Sequence, residues 1–363
     1  MKRIIVKIGS ACLTDKEGRL DDGQIKDYAR QIAALMDSSS VILVTSAAIA
    51  AGMGETKLIQ RPRRMPDLQA LAAIGQSILM RRYHDEFIKH GIHTAQILLS
   101  DNDLSSRERF LNFRNTLDSL LKMRVLPIIN ENDTVANKEI KIVGDNDALA
   151  AAVACNVGAD RLIMLSTVPG VYDREPTKPG AALIPEIKEI TAEISRLSGK
   201  AKGFHSVGGI QSKISAARLC MASGVRMHLL DGRQTDSLLK VVRGDQIGTV
   251  FEPSTKKPRK DLWIKIAQPR GAIIIDKGAV SALQDKRSLL ASGITGVEGV
   301  FPCGEVVEVR APDGVIVGKG VPNYSSDDVI RIKGKRSDEI IKVLGSRPFP
   351  NVISRESFVL SQE

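Results

Sequence analysis

Short runs of β-branched and other apolar residues alternate along the chain with longer stretches whose apolar positions recur three and four residues apart. The runs are Arg3–Ile8, Val41–Thr45, Thr94–Leu99, Val125–Ile129, Arg161–Leu165 and Val225–Leu230. Unbroken apolar runs of this length fit strands buried on both faces, whereas the three-and-four spacing marks one face of a helix. The helical spacing covers Asp22–Met36, Leu68–Lys89 and Ser106–Lys122. Buried strands alternating with amphipathic helices predict an α/β domain, an αβα sandwich with a mostly parallel central sheet.

Near residue 251 the pattern changes. Glu252-Pro253-Ser254-Thr255-Lys256-Lys257-Pro258-Arg259-Lys260 has no periodicity and two prolines, as a linker would. Beyond it short strands are predicted at Gly271–Asp276, Gly304–Arg310, Val315–Val321 and Val329–Lys333, with a Pro312-Asp313-Gly314 turn joining two of them. The expected organisation is therefore a first domain over 1–251, a linker over 252–262 and a small β-rich barrel over 263–363. A chain of 363 residues suits two domains. No internal repeat is visible.

Composition narrows the setting. No apolar run reaches the roughly 18 residues of a membrane span. The opening Met1-Lys2-Arg3-Ile4-Ile5-Val6 is interrupted at Lys7 and Gly9, unlike a signal peptide. Cys12, Cys155, Cys220 and Cys303 are scattered, with no Cys-x-x-Cys pair, so they read as reduced thiols. A cytoplasmic protein with no membrane partner is expected. The formal charge of +10 points to anionic partners, nucleic acid or phosphorylated metabolites, though a solvated surface explains much of the excess equally well.

The loops after the strands carry the candidate chemistry: Gly9-Ser10, Ser46-Ala47-Ala48, Asn130-Glu131-Asn132-Asp133 and Ser166-Thr167-Val168-Pro169-Gly170. All fall at the carboxyl edge of the sheet, where open α/β folds place ligands. There is no Gly-x-x-x-x-Gly-Lys-Ser/Thr loop, and Gly52-Met53-Gly54 lacks the third glycine of a dinucleotide fingerprint. Lys7, inside an apolar strand, must find an anion or reach solvent. Val207-Gly208-Gly209-Ile210-Gln211-Ser212-Lys213 leads into a helix expected over Ile214–Ala222, an entry that lets backbone amides approach a phosphate. Gly144-Asp145-Asn146-Asp147 opens another helix, and one of its polar residues is accounted for as a cap. A carboxylate there, beside two cations, could position both lysines.

These motifs resemble the glutamate 5-kinases of the amino acid kinase superfamily, which carry a C-terminal PUA domain. The resemblance rests on Val6-Lys7-Ile8-Gly9-Ser10, Thr45-Ser46-Ala47-Ala48-Ile49-Ala50-Ala51-Gly52, Arg107-Glu108-Arg109-Phe110-Leu111-Asn112, Asn130-Glu131-Asn132-Asp133, Gly144-Asp145-Asn146-Asp147 and Gly208-Gly209 through Lys213, in order, over nearly the whole chain. It implies that ATP phosphorylates the side-chain carboxylate of glutamate, the first step of proline synthesis. Lys7 and Lys213 would contact the transferring phosphoryl group, with Asp147 holding them. Ser46, Asp133 and Asn146 would bind glutamate. Lys7, Gly9, Ser10, Ser166, Thr167, Val207, Gly208, Gly209, Ile210, Gln211, Ser212 and Lys213 would line the ATP site. The resemblance further implies Mg2+ held largely by phosphates with no protein metal ligand, proline as feedback inhibitor, and a homo-oligomer, dimer or tetramer.

The chain departs from the family pattern at Ala11, at Ala47 where glycine is usual, and at Thr167 where an acidic residue is usual. Two alternatives stand beside this reading. One is another carboxylate or phosphate kinase of the superfamily, against which the Asn130–Asp133 loop and the PUA domain count. The other is an RNA-binding or RNA-modifying protein, since PUA domains recur there and Gly18-Arg19-Leu20-Asp21 superficially resembles a pseudouridine synthase motif. That stretch runs into a helix, where Asp21 reads as a cap, and the second domain shows no evident aromatic platform for stacking bases.

Overall fold

The computed structural model describes residues 2–100, 103–104, 107–135, 146–175, 178–197, 209–253, 264, 267–336, 339–345 and 349–361. The chain divides into two compact units, Met1–Asp103 with Asn112–Lys256, and Leu104–Leu111 with Lys257–Glu363.

The first unit follows the alternation read from the sequence. Its elements are β1 (Lys2–Ile8), α1 (Asp22–Met36), β2 (Ser39–Val44), α2 (Ala48–Glu55), α3 (Met65–Phe87), β3 (Thr94–Leu99), α4 (Arg107–Lys122, shared with the second unit), β4 (Leu126–Glu131), α5 (Asn146–Val157), β5 (Arg161–Ser166), β6 (Glu186–Ile187), α6 (Ala192–Leu197), α7 (Ile210–Ala222), β7 (Arg226–Asp231), α8 (Ser237–Arg243) and β8 (Thr249–Phe251). The strands form one eight-stranded sheet in the order β3-β4-β2-β1-β5-β7-β8-β6. Every pairing is parallel except β7 with β8. On one face Val6, Ile8, Leu43, Ile163 and Leu165 pack with Tyr28 and Ile32 of α1 and with Tyr83 and Phe87 of α3. Asp21 caps α1, its carboxylate accepting from the Gln24 amide, which confirms the capping role expected for it.

Helices α2 and α3 cross with their backbones in contact. A Cβ on Gly75 would stand 1.8 Å from the Ala48 carbonyl oxygen, and one on Gly52 would stand 2.0 Å from that of Leu71. Only hydrogen fits at either place. This fixes the start of α2, and with it the Ser46-Ala47 turn.

The second unit holds β9 (Ala272–Ile275), α9 (Lys277–Gln284), β10 (Ile294–Glu298), β11 (Val307–Arg310), β12 (Ile316–Pro322), α10 (Ser326–Ile332), α11 (Ile340–Leu344) and β13 (Ile353–Leu360). Its five-stranded sheet runs β10-β9-β11-β12-β13, with β9 and β11 parallel and the other pairs antiparallel. The Asp313-Gly314 turn joins β11 to β12, with Gly314 at φ +85°. The strand expected over Val329–Lys333 is instead α10. Ser325 Oγ accepts from the Asp328 amide and donates to the Asp328 carboxylate, a reciprocal cap that starts a helix at an apolar run short enough to pass for a strand. Tyr324 and Phe301 are buried in this unit's core and offer no stacking surface.

Residues 254–263, the bulk of the expected linker, lie outside the described residues, as do 136–145 and 198–208.

Candidate active site

β1 delivers Lys7 to the carboxyl edge of the sheet, and the chain then turns through Gly9, whose amide donates to the Leu165 carbonyl of β5 at 3.2 Å. A Cβ on Gly9 would lie 3.6 Å from Lys7 Nζ, so the small residue leaves the space above the ammonium open. Asp147, the second residue of α5, is fully buried. One of its oxygens pairs with Lys7, and the other pairs with Lys213 of α7 at 2.9 Å and accepts from the Ser212 hydroxyl at 2.8 Å. Lys7 and Lys213 are themselves buried.

Burial pushes the Asp147 carboxyl up, but the two ammonium groups more than offset this, and the group sits below the usual carboxylate range. The cluster thus sets two lysine side chains against a single carboxylate. It lies at a sheet edge where a ligand anion can complete the balance. Taking such a cluster from water costs several kcal/mol per ion unless geometry and hydrogen bonds compensate.

Helix α7 begins at Ile210 and not at Ile214. Gly209 is its N-cap, with no side-chain cap bond, so the helix takes in one turn more than the expected Ile214–Ala222. The Gly209 carbonyl accepts from the Ser212 amide at 3.1 Å. Ile210, Gln211, Ser212 and Lys213 thus occupy a helix N-terminus, and the hydroxyl of Ser212 turns inward to Asp147. Val207 and Gly208 lie outside the described residues, as do Gly144 and Asp145. At the end of β5, Ser166 is buried and its hydroxyl accepts from the Val168 amide, while Thr167 is exposed. Ser10 is exposed at the start of a single 3-10 turn after Gly9.

Asn146 connects this charged cluster to the loops of β2 and β4. Its Nδ2 donates to the Thr45 carbonyl and the Ser46 hydroxyl, both at 2.8 Å, and to Asn130 Oδ1 at 3.0 Å. Asn130 in turn donates to Gln76 Oε1 of α3 at 2.8 Å. Asp133 stands apart from these bonds, in the wall of a neighbouring cleft of about 270 Å³ that Gln76, Asn132 and Thr134 also line. Ala47, between Ser46 and α2, has φ +79°, the left-handed region natural to glycine. The residue that departs from the family pattern therefore keeps a glycine-like backbone.

Gln76 was not expected at the site from sequence, and Asn130 was expected only as a member of the Asn130–Asp133 loop, without a role of its own. Gln76 could have been found: it is a polar residue on the stripe of α3 formed by Leu68, Leu71, Ala72, Gly75 and Leu79, which are buried. An amide on such a stripe needs a partner.

A buried carboxylate between two lysines, at the carboxyl edge of a parallel sheet and beside a glycine-opened helix, is an arrangement for handling phosphoryl groups. The chain belongs to the amino acid kinase family, whose model matches residues 2–231, and a PUA domain model matches 271–344. It is 41% identical to the glutamate 5-kinase of Carboxydothermus hydrogenoformans, over 99% of this chain and 98% of that one. It is 43% identical to the glutamate 5-kinase of Dehalococcoides mccartyi, with the same coverage. Among solved structures, a carbamate kinase from Giardia lamblia bound to AMP-PNP superposes with a TM-score of 0.52 at 16% identity. That match covers 70% of this chain and 99% of the other, and it shows the shared fold.

Proposed function

We propose that this protein transfers the γ-phosphoryl group of ATP to the side-chain carboxylate of glutamate. The observation that carries the reading is the Lys7–Asp147–Lys213 cluster, found in a chain 41–43% identical to glutamate 5-kinases over 99% of its length. Such full-length similarity does not favour a kinase for another acid or an RNA-modifying protein.

The chemistry follows from charge. A glutamate side chain has an ordinary pKa of about 4.3 and is already an anionic nucleophile at neutral pH, so no general base is required. Its oxygen forms the new bond to the γ-phosphorus as the bond to the β-γ bridging oxygen breaks, giving glutamyl 5-phosphate and ADP. The difficulty is bringing one anion to another. Lys7 and Lys213 supply positive charge to the oxygens of the transferring group, and Asp147 holds both ammoniums in place without touching substrate. The first-turn amides of α7 add their dipoles on the nucleotide side. Ser46 and Asn146 orient the acceptor, and Asp133 suits its ammonium group.

Magnesium accompanies ATP in this reading and supplies further charge compensation on the phosphates. The described residues offer no cluster of carboxylates for it, and both Asp147 oxygens are taken by lysines. The described residues do not form a magnesium site, and no step is assigned to the ion. Proline inhibition, a homo-oligomer and a cytoplasmic setting belong to the same proposal. No described helix is long and apolar enough to cross a membrane.

The test is ADP release from MgATP with glutamate, acetylglutamate and aspartate in parallel, trapping any acyl phosphate as its hydroxamate. Glutamate-dependent turnover that proline suppresses is expected. Turnover with acetylglutamate alone would overturn the reading. Sedimentation of the purified chain checks the oligomer.

A further inference from the structure

Three side-chain amides, of Asn146, Asn130 and Gln76, form a continuous row along the acceptor side of the site, and two backbone groups fix which way each one points. The Glu131 N–H donates to Asn130 Oδ1 at 2.9 Å, so that atom must be the oxygen. Asn130 therefore presents its NH2 to Gln76, and the atom it meets must be Gln76 Oε1. At the other end the Thr45 carbonyl can only accept, so the Asn146 atom facing it must be Nδ2. Turning any one amide over would set donor against donor or acceptor against acceptor.

With the row fixed in this sense, one polar atom is left over at each end. Asn146 Oδ1 and Gln76 Nε2 are both buried and have no hydrogen-bond partner among the described residues. Buried amides left this way are uncommon in folded proteins and mark places where a partner is missing. The acceptor lies beside the Asp147 cluster, and the donor lies on the far side of Asn130, where Gln76 and Asp133 line the same cleft. The sheet order agrees: Lys7 is on β1, Asn130 two strands away on β4, and Gln76 reaches Asn130 from α3.

We propose that Gln76 is a substrate-binding and specificity residue whose Nε2 donates to the carboxylate of the acceptor most remote from the reacting one, which for glutamate is the α-carboxylate. This rests on the glutamate reading above. A donor and an acidic group, Gln76 and Asp133, then face the two charged groups on the α-carbon of an amino acid. The row transmits the fit of that end to Asn146, the residue adjoining Asp147.

The experiment compares glutamate, its 1-amide isoglutamine and 4-aminobutanoate in the wild-type enzyme and in Gln76→Glu and Gln76→Met, with circular dichroism on each protein. Gln76→Glu keeps an oxygen for Asn130 but replaces the donor with a carboxylate oxygen. Its KM for glutamate should rise by about thirtyfold or more, with KM for ATP unchanged, the expected loss of a hydrogen bond to a charged group. Isoglutamine, whose amide can donate, should gain on glutamate in kcat/KM. Gln76→Met, without donor or acceptor, should lose glutamate without gaining isoglutamine. If one variant fails to fold, the other carries the comparison. Folded variants that keep the wild-type ranking of the three acceptors would overturn the assignment. Equal use of glutamate and 4-aminobutanoate by the wild type would overturn it without either variant. A wild-type enzyme with no turnover on glutamate overturns the parent reading first, and this one with it.

Discussion

Lys213 Nζ lies 2.9 Å from Asp147 Oδ2, and Asp147 has no exposed surface. The carboxylate's charge is therefore balanced by lysines from two distant parts of the chain, and each lysine is held ready for an anion that Asp147 only partly supplies.

Replacing Lys213 by methionine keeps the stem and removes the charge. Catalysis should fall by about 10²–10³-fold in kcat, the usual cost of losing one preorganised charge at a reacting centre. Breaking a buried pair also costs stability, of the order of 3 kcal/mol, since Asp147 keeps a single counter-ion. Steady-state kinetics and urea unfolding without ligand read the two effects separately. A folded variant with kcat within threefold of the wild type would refute the role.

Ala47 holds a left-handed backbone that costs a residue with a Cβ about 1–2 kcal/mol. Ala47→Gly relieves this, less the extra freedom glycine has when unfolded, for a net gain of roughly 0.5–1 kcal/mol. Ala47→Val should instead destabilise, because branching makes that conformation worse. Denaturant midpoints of the three proteins test the order Gly, Ala, Val.

The crossing of α2 and α3 predicts a large effect from a single methyl group. Gly75→Ala would place its Cβ 1.8 Å from a backbone oxygen that cannot rotate away, so the helices must part. Overpacking of this kind costs about 3 kcal/mol or more. Ile74→Ala, at a partly exposed neighbouring position, is the control and should lose much less. Thermal unfolding of the two variants makes the comparison.

His228 on β7 is buried with neither ring nitrogen bonded among the described residues, and burial, then the charges of Arg161 and Arg226, hold its pKa down to about 3. It stays neutral in the folded protein, whereas an unfolded imidazole takes a proton below about pH 6.5. The unfolded state then binds more protons, so stability is full above pH 6.5 and declines as pH falls toward 3. At pH 4.5 the loss is about 2–3 kcal/mol by that linkage. Asp147, whose pKa is lowered, titrates below the ordinary carboxylate range and adds nothing to the slope between pH 5 and 7. His228→Leu should flatten unfolding free energy against pH over that window, and an unchanged slope would assign it elsewhere.

The first unit was readable because its central strands are buried on both faces. Runs such as Ile4–Ile8 and Leu162–Leu165 have no alternative as helices at that length, and Asp21 announces α1 through its cap. Lys7 was legible as a charge that an apolar strand does not accept singly, Lys213 through the Gly208-Gly209 helix entry, and Asp147 through the polar Gly144–Asp147 stretch that leads into α5. The α10 segment was misread because Val329, Ile330 and Ile332 weigh more in a short window than the Ser325–Asp328 cap that decides the matter. Gln76 was missed for a different reason. It bonds across 54 residues to Asn130, and nothing in its local stretch shows that partner.

The placement of β1 between β2 and β5 has a consequence for how the molecule is made. On the ribosome, Lys7 emerges well before the carboxylate it needs, which follows 140 positions later, and α7 comes later still. Until then β1 cannot enter the interior without an uncompensated ammonium. The nascent chain must therefore wait with its central strand unfilled, and the Lys7–Asp147–Lys213 cluster is completed abruptly, only once α7 has been made.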